Sequence, residues 1–369
     1  MQIKPFLLDR WLNEHGGVAY DLACSTGPAW TVREIFELMP PEEKESLWDT
    51  RATYRPVAGT EGLREAIAAM EGVQPDEVQV VTGASEALHI LFFMAAEPDA
   101  NVIVPTPSFP TFTALPEALG VETRTYRLRP ENDFQIDVDE VKKLTNDQTR
   151  LILVNSPHNP TGAVVDAGSL RELHDFAAGR GIPFIVDQVY HPIYYDADCP
   201  TATALPHATV LGDFSKALAL SGLRVGWFVE RNKRSMEHYW NTRAYFTISN
   251  GLLSEALAEV AIRHRDQFYK RGQEVGAANL ALLDKFFDEQ KEVLSWVRPQ
   301  GGFTGFPRLV SGEDSRPMCR AAAEQGVLLA PGDCFGYPSH FRLGFGACGD
   351  GFPQALEVLF DVMAEVTSH

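Results

Sequence analysis

From about residue 78 onward, short β-branched runs alternate with helical text. The runs read "VQVVTG", "NVIVPTP", "RLILVNSP", "PFIVDQVY", "ATVLGDFS" and "LRVGWFV", and between them lie stretches such as "SEALHILFFMAAE" and "SLRELHDFAAGRG". Near-continuous apolar runs separated by helices predict an α/β domain with a mostly parallel sheet buried on both faces. The last two runs stand too close together for a crossover helix, so one of them is expected to pair antiparallel. After Phe228 the pattern turns to long helical text through about Gln290, then to short strand-like pieces, "FTGFPRL" and "HFRLGFG". These predict a smaller α+β domain that takes in part of the amino terminus. The expected division is 1–45 as an amino-terminal segment of the small domain, 46–275 as the large domain and 276–369 as the small carboxy-terminal domain.

Length and charge narrow the function classes. The 369 residues, 45% hydrophobic and 22% charged, suffice for one large core and a second, smaller one. A net charge of -18 opposes a nucleic acid or an anionic membrane surface as partner and favours small molecules. Cys24, Cys199, Cys319, Cys334 and Cys348 are odd in number and lack a CxxC pair. They predict reduced thiols in a cytoplasmic protein and neither a disulfide framework nor a zinc site. The first residues, "MQIKPFLLDRWLNEH", have no unbroken apolar core, so neither a signal peptide nor a membrane span is expected there. The longest apolar run, "ALHILFFMAA", is too short to cross a bilayer and reads as a buried helix.

Turns rich in Gly, Pro and Asn follow the strands: "VTGAS", "PTPSFP", "NSPHNPTG" and "DQVYH". Ligands of open α/β sheets gather at the carboxyl ends of strands, so these turns mark where a site belongs. One further segment, "GDFSKALALSGLRVGW", places Lys216 in apolar surroundings, with Asp213 three residues before it and Arg224 eight after. Taken singly, Asp187 reads as a capping residue, Asn159 as a turn former, and Lys216 and Arg224 as surface cations. Those readings leave unexplained why all four fall at strand ends.

The ordered set "TGASEAL", "PHNPTG", "DQVY", "SKALALSGLRVGW" and "FRLGFG" resembles the fold-type I, class I/II aminotransferases, over nearly the whole chain. That resemblance implies pyridoxal 5'-phosphate (PLP) as cofactor, bound by the large domain on a seven-stranded type of sheet between helices. It assigns Lys216 to the Schiff base with the cofactor's aldehyde, and the cofactor chemistry needs such an amine in neutral form. Asp187 is assigned to the pyridine nitrogen, whose protonated form a nearby carboxylate favours. Asn159 and Tyr190 are assigned to the ring's phenolic oxygen, and both side chains can donate. Gly83, Ala84 and Ser85, where a strand enters a helix, are expected at the phosphate, with Arg224 and Ser215. Phe109 is expected over the ring, and Tyr54 at the phosphate of a partner subunit, which implies a homodimer. For substrate the resemblance implies Arg342 as the clamp on the α-carboxylate, with Ser25, Thr26 and Gly27 on the segment that closes over it. His158 and His191 lie near this set without partners at metal-ligand spacing, and no catalytic role is expected of either.

Asp213 departs from the family pattern, which often carries a phosphate-donating hydroxyl there. Two like charges about 4 Å apart at an effective dielectric near 20 repel by ~4 kcal/mol. Asp213 is therefore expected to turn away and pair with a cation, leaving the phosphate to Ser85 and Arg224. The leading function is an aminotransferase moving an amino group between an α-amino acid and a 2-oxo acid. A lyase or cyclase on the same site is the competing reading, since the cofactor residues do not separate them. A regulator carrying the fold with an added DNA-binding domain is disfavoured by the acidic charge. Trp30, Phe303 and Phe306 are read either as an aromatic substrate pocket or as core packing.

Overall fold

The computed structural model describes residues 2–197 and 201–366. Cys199 lies outside the described residues, and Cys24, Cys319, Cys334 and Cys348 are free thiols. Seven strands form the main sheet: β1 (Val78–Val81), β2 (Asn101–Thr106), β3 (Glu122–Arg127), β4 (Thr149–Asn155), β5 (Phe184–Asp187), β6 (Ala208–Asp213) and β7 (Gly226–Val229). Their order is β1-β7-β6-β5-β4-β2-β3. The five strands from β2 to β6 pair parallel, whereas β7 lies antiparallel between β1 and β6. The close spacing of the last two runs thus has the consequence foreseen for it.

Alternate residues of each strand enter different cores, as the two-residue period of a strand requires. Ile152, Val154, Phe184, Val186 and Val210 join one buried cluster, and Leu151, Leu153, Ile185 and Leu211 join another. Helix α1 (Leu7–His15) belongs to the third cluster below; the helices that cover these faces include α2 (Glu61–Glu71), α3 (Ala84–Met94), α4 (Thr111–Ala118), α5 (Ala167–Arg180), α6 (Lys233–Phe246) and α7 (Leu252–Arg263). Helix α3 is the run "ALHILFFMAA": Leu88, Ile90, Leu91 and Phe92 are buried, although Phe93 is half exposed.

A third buried cluster gathers Leu8, Trp11 and Leu22 with Phe303, Phe306, Val327, Phe341 and residues of α9 (Arg316–Glu324) and α10 (Phe352–Val366). Its small sheet joins β8 (Thr304–Gly305), β9 (Ala330–Pro331) and β10 (Phe341–Gly344), antiparallel. The amino terminus is tied in by the Trp11 Nε1 donation to the Leu329 carbonyl, 2.7 Å, and by pairing of Tyr20–Asp21 with Val327–Leu328. Ile35 and Met39, by contrast, pack into the first cluster of the large sheet. Helix α8 (Arg265–Glu289) runs without interruption across position 275, with Phe268 in the large-sheet cluster and Leu280 and Leu283 in the small one.

Candidate active site

The carboxyl ends of β4, β5 and β6 and the amino end of α3 surround a cavity of about 180 Å³. Ala84, Ser85, Phe109, Asn159, Asp187, Tyr190, Ser215, Lys216 and Arg224 line it, together with Asp213. Residues 130 positions apart meet there because parallel strands bring their carboxyl ends to one edge of the sheet.

Lys216 follows β6, and its Nζ donates to Ser25 Oγ at 2.8 Å while lying 6.0 Å from the centroid of the Tyr190 ring. Ser25 is buried and belongs to the amino-terminal segment, where the Gly27 N–H donates to the Lys216 carbonyl at 3.4 Å. A Cβ on Gly27 would stand 2.9 Å from the Phe303 ring, so only glycine lets this segment come so close. Thr26 turns from the amine, its Oγ1 3.1 Å from Cys24 Sγ.

Asp187, last residue of β5, is 5% exposed. Its carboxylate accepts from the Val189 N–H at 3.2 Å. Burial pushes its carboxyl up to about 7; the Val189 N–H and Lys216 oppose that rise and Asp213 adds to it.

Asp213 corrects an expectation. Its carboxylate makes no ion pair among the described residues; it accepts from the backbone N–H groups of Ala84 and Ser215, each at 2.5 Å. The carboxylate takes the first N–H of α3 rather than a cation because an orphan donor at a helix start is already aligned with the end of β6. The Ala84 N–H, expected to be open to phosphate, is thereby occupied. Gly83 stands at the N-cap with φ 77°, and a Cβ there would meet Arg224 Nη2 at 2.6 Å. Arg224 Nη1 donates to Ser215 Oγ at 3.2 Å and to the Ser221 carbonyl at 3.0 Å, which brings the guanidinium over the start of α3. Ser85 is exposed at the second position of that helix.

At the opposite wall Arg342, on β10, is 3% exposed. Its Nη1 donates to Asn159 Oδ1 at 3.1 Å and its Nη2 to the Ala23 carbonyl at 2.6 Å. The Phe335 ring lies 5.1 Å beneath the guanidinium, and burial holds the group below its ordinary pKa. Phe109 forms part of the roof, in edge contact with Phe6 and Phe112 at 5.8 and 6.1 Å between centroids. Tyr54 is 82% exposed and absent from the lining of this cavity.

Residues 32–354 match the family model described as aminotransferase class I and II. The chain belongs to the class I and II aminotransferase family. It is 34% identical to capreomycidine synthase of Streptomyces vinaceus over 359 residues, covering 92% of this chain and 88% of that protein. It is 28% identical to aspartate aminotransferase of Pyrococcus abyssi, covering 87% of each. Among solved structures, a PLP-dependent aminotransferase of Streptococcus suis superposes with a TM-score of 0.93 at 27% identity, covering 99% of both chains. The PLP-dependent cyclase OrfR superposes at 0.91 and 27%, covering 99% of this chain and 98% of that one.

Class I and II aminotransferases use PLP, and the cavity fits that group. Tyr190 Oη and Arg342 Nε are buried without a hydrogen-bond partner among the described residues, donors held ready for acceptors that the chain does not supply. A buried acid, Asp187, stands at the same floor without a side-chain cation in bonding range among the described residues. Sequence reasoning missed Asn155, which lines the cavity, accepts from the Asn159 N–H at 2.8 Å and donates to the Asp187 carbonyl at 3.1 Å. Its place four residues before Asn159, at the last position of β4, was the available signal. His158 shares a 2.8 Å hydrogen bond with Thr161, and burial drives it down to about 3; His191 falls to about 4 for the same reason. Trp30 packs on Phe268 and Phe306 on His340, so core packing accounts for both, and Phe303 is fully buried against Gly27.

Proposed function

We propose that this enzyme is an aminotransferase that binds an α-amino acid by its carboxylate at Arg342 and moves a proton at the substrate's α-carbon with the amine of Lys216. The observation that carries the reading is the meeting of Lys216, Asp187, Asn159 and Arg342 around one cavity, with the two donors Tyr190 Oη and Arg342 Nε unspent. Bound PLP supplies an electron sink for the bond broken at the α-carbon. Asp187 keeps a proton at the floor of the site, Asn159 and Tyr190 present donors at its wall, and Arg224 with Ser85 and Ser215 provides the anion end. Ser25 holds the Lys216 amine against the segment that carries Thr26 and Gly27, so amine and substrate clamp share one support. Phe109 and Phe6 exclude water from above.

A second reading, elimination or ring closure on the amino acid, is favoured by a specific observation. Similarity to capreomycidine synthase, 34%, exceeds that to the aspartate aminotransferase, 28%, and the cyclase OrfR superposes over almost the full chain. The purified enzyme mixed with single amino acids separates the two: build-up of the cofactor's amine form supports transamination, and release of ammonia or a cyclic product without it supports the second. Lys216→Ala is expected to lose the visible absorbance of lysine-bound cofactor and to cut turnover by more than ~10³-fold; turnover near the wild-type rate sinks both readings. The enzyme acts as a homodimer in this proposal, supported by the exposure of Trp48, Tyr54, Tyr245 and Phe246 and by the reach implied for Tyr54. A cytoplasmic site of action accords with the free thiols. Among the described residues no helix is long and apolar enough to cross a membrane.

A further inference from the structure

The anion end of the cavity contains an acid. Asp213 closes β6, is 6% exposed, and places one carboxylate oxygen on the Ala84 N–H and the other on the Ser215 N–H. A Cβ built on Gly83 would lie 3.3 Å from Asp213 Oδ2 and 2.6 Å from Arg224 Nη2, so carboxylate and guanidinium flank the same glycine at the start of α3. Both of the donors that Asp213 engages, and the cation beside it, are groups an incoming phosphate would use.

We propose that Asp213 is an affinity-setting residue for the cofactor's phosphate: its carboxylate caps α3 on donors that the phosphate would use and so weakens phosphate binding there. The inference rests on the PLP reading given above. The charged and titratable groups that line the same cavity as Asp213 are Asp187, Tyr190, Lys216 and Arg224. Glu71 of α2, His191 and Tyr269 line a second cavity of about 420 Å³, which shares Val189 and Asp213 with the first. A phosphate at the start of α3 would meet the Asp213 carboxylate there, and Arg224 offsets only part of that repulsion.

The test compares PLP with pyridoxal, which lacks the phosphate, on the full-length protein stripped of cofactor. Wild type, Asp213→Asn and Asp213→Ser are titrated with each, following the visible absorbance of the lysine-bound ring. Both variants are expected to bind PLP more tightly than wild type by about tenfold or more, the equivalent of one pKa unit of interaction, and to bind pyridoxal as wild type does. Equal PLP affinities in all three proteins overturn the proposal, as does weaker PLP binding in both variants, which would make the carboxylate a support of the phosphate site. Melting curves identify a variant that fails to fold, and the other then decides. If wild type develops no absorbance with either compound, the PLP reading falls, an outcome distinct from the failure of the role proposed for Asp213.

Discussion

Two buried carboxylates end neighbouring strands of the same sheet, and their surroundings treat them differently. Asp187 receives one N–H at 3.2 Å and is pushed up to about 7 by burial. Asp213 receives two N–H groups at 2.5 Å, one of them the first donor of an eleven-residue helix. Equal chemistry, equal burial and adjacent strands therefore give one acid poorly provided with donors and one well provided. The first is suited to share a proton with a ring nitrogen. The second competes with an anion for the same backbone. Local supply of N–H groups, rather than depth in the protein, decides what a buried acid does here.

The largest effect that bears on this contrast is expected from Asp187→Asn. It should cut turnover by at least about 10²-fold, the scale of a lost acid–base partner, while the cofactor still binds; steady-state kinetics beside an absorbance spectrum checks this, and turnover within threefold of wild type would erase the distinction between the two acids. Next comes the cation across the cavity. Arg342→Lys loses the planar fork and its two fixed bonds to Asn159 and Ala23, so KM for the amino acid should rise by roughly tenfold to a hundredfold, given about 1.5–3 kcal/mol for a hydrogen bond to a charged group. A KM unchanged in that variant would place the substrate carboxylate elsewhere.

The third effect sharpens the contrast through pH. The folded-state value of Asp187, about 7, lies above its ordinary 3.8. Between those values the folded chain keeps a proton that the unfolded chain has released, so the group's contribution to stability is full below about 4 and declines as pH rises through 7. Urea unfolding of the stripped protein at pH 5 and pH 8 should show wild type losing more stability on that rise than Asp187→Asn; equal losses would show that Asp187 titrates normally. The smallest effect is expected from Tyr190→Phe, which removes one donor. About 0.5–1.5 kcal/mol corresponds to a two- to tenfold drop in kcat/KM, and Asn159→Ala in the same background tests whether the two share one acceptor.

The sheet was legible because strand runs and helical text alternate from Val78 to Val229, and the antiparallel β7 because too few residues separate it from β6. Candidate residues at the strand ends were legible for the same reason: Asp187 and Asp213 are the last residues of their strands. Contacts between distant segments were not. Ser25 meets Lys216 from 191 positions away, and Arg342 meets Asn159 from 183. No local periodicity encodes such pairs; they arise from how the amino-terminal segment packs between the two cores. The partner of Asp213 was misjudged because charge counting looked for a cation, and a helix terminus in the right place is invisible to charge counting. Trp30 and Phe306 looked equally suited to a pocket and to a core, and only packing assigns them.

Helix α8 has a practical corollary. Twenty-five residues at 1.5 Å per residue make a rod of roughly 37 Å that begins in one core and ends in the other. A gene cut at residue 275 would sever that rod, leave Phe268 with the large-sheet core and Leu280 and Leu283 with the other, and part Leu8, Trp11 and Leu22 from the small core they help to build. Engineers wishing to exchange the small core must therefore replace the amino-terminal segment together with the carboxy-terminal part, because both build it.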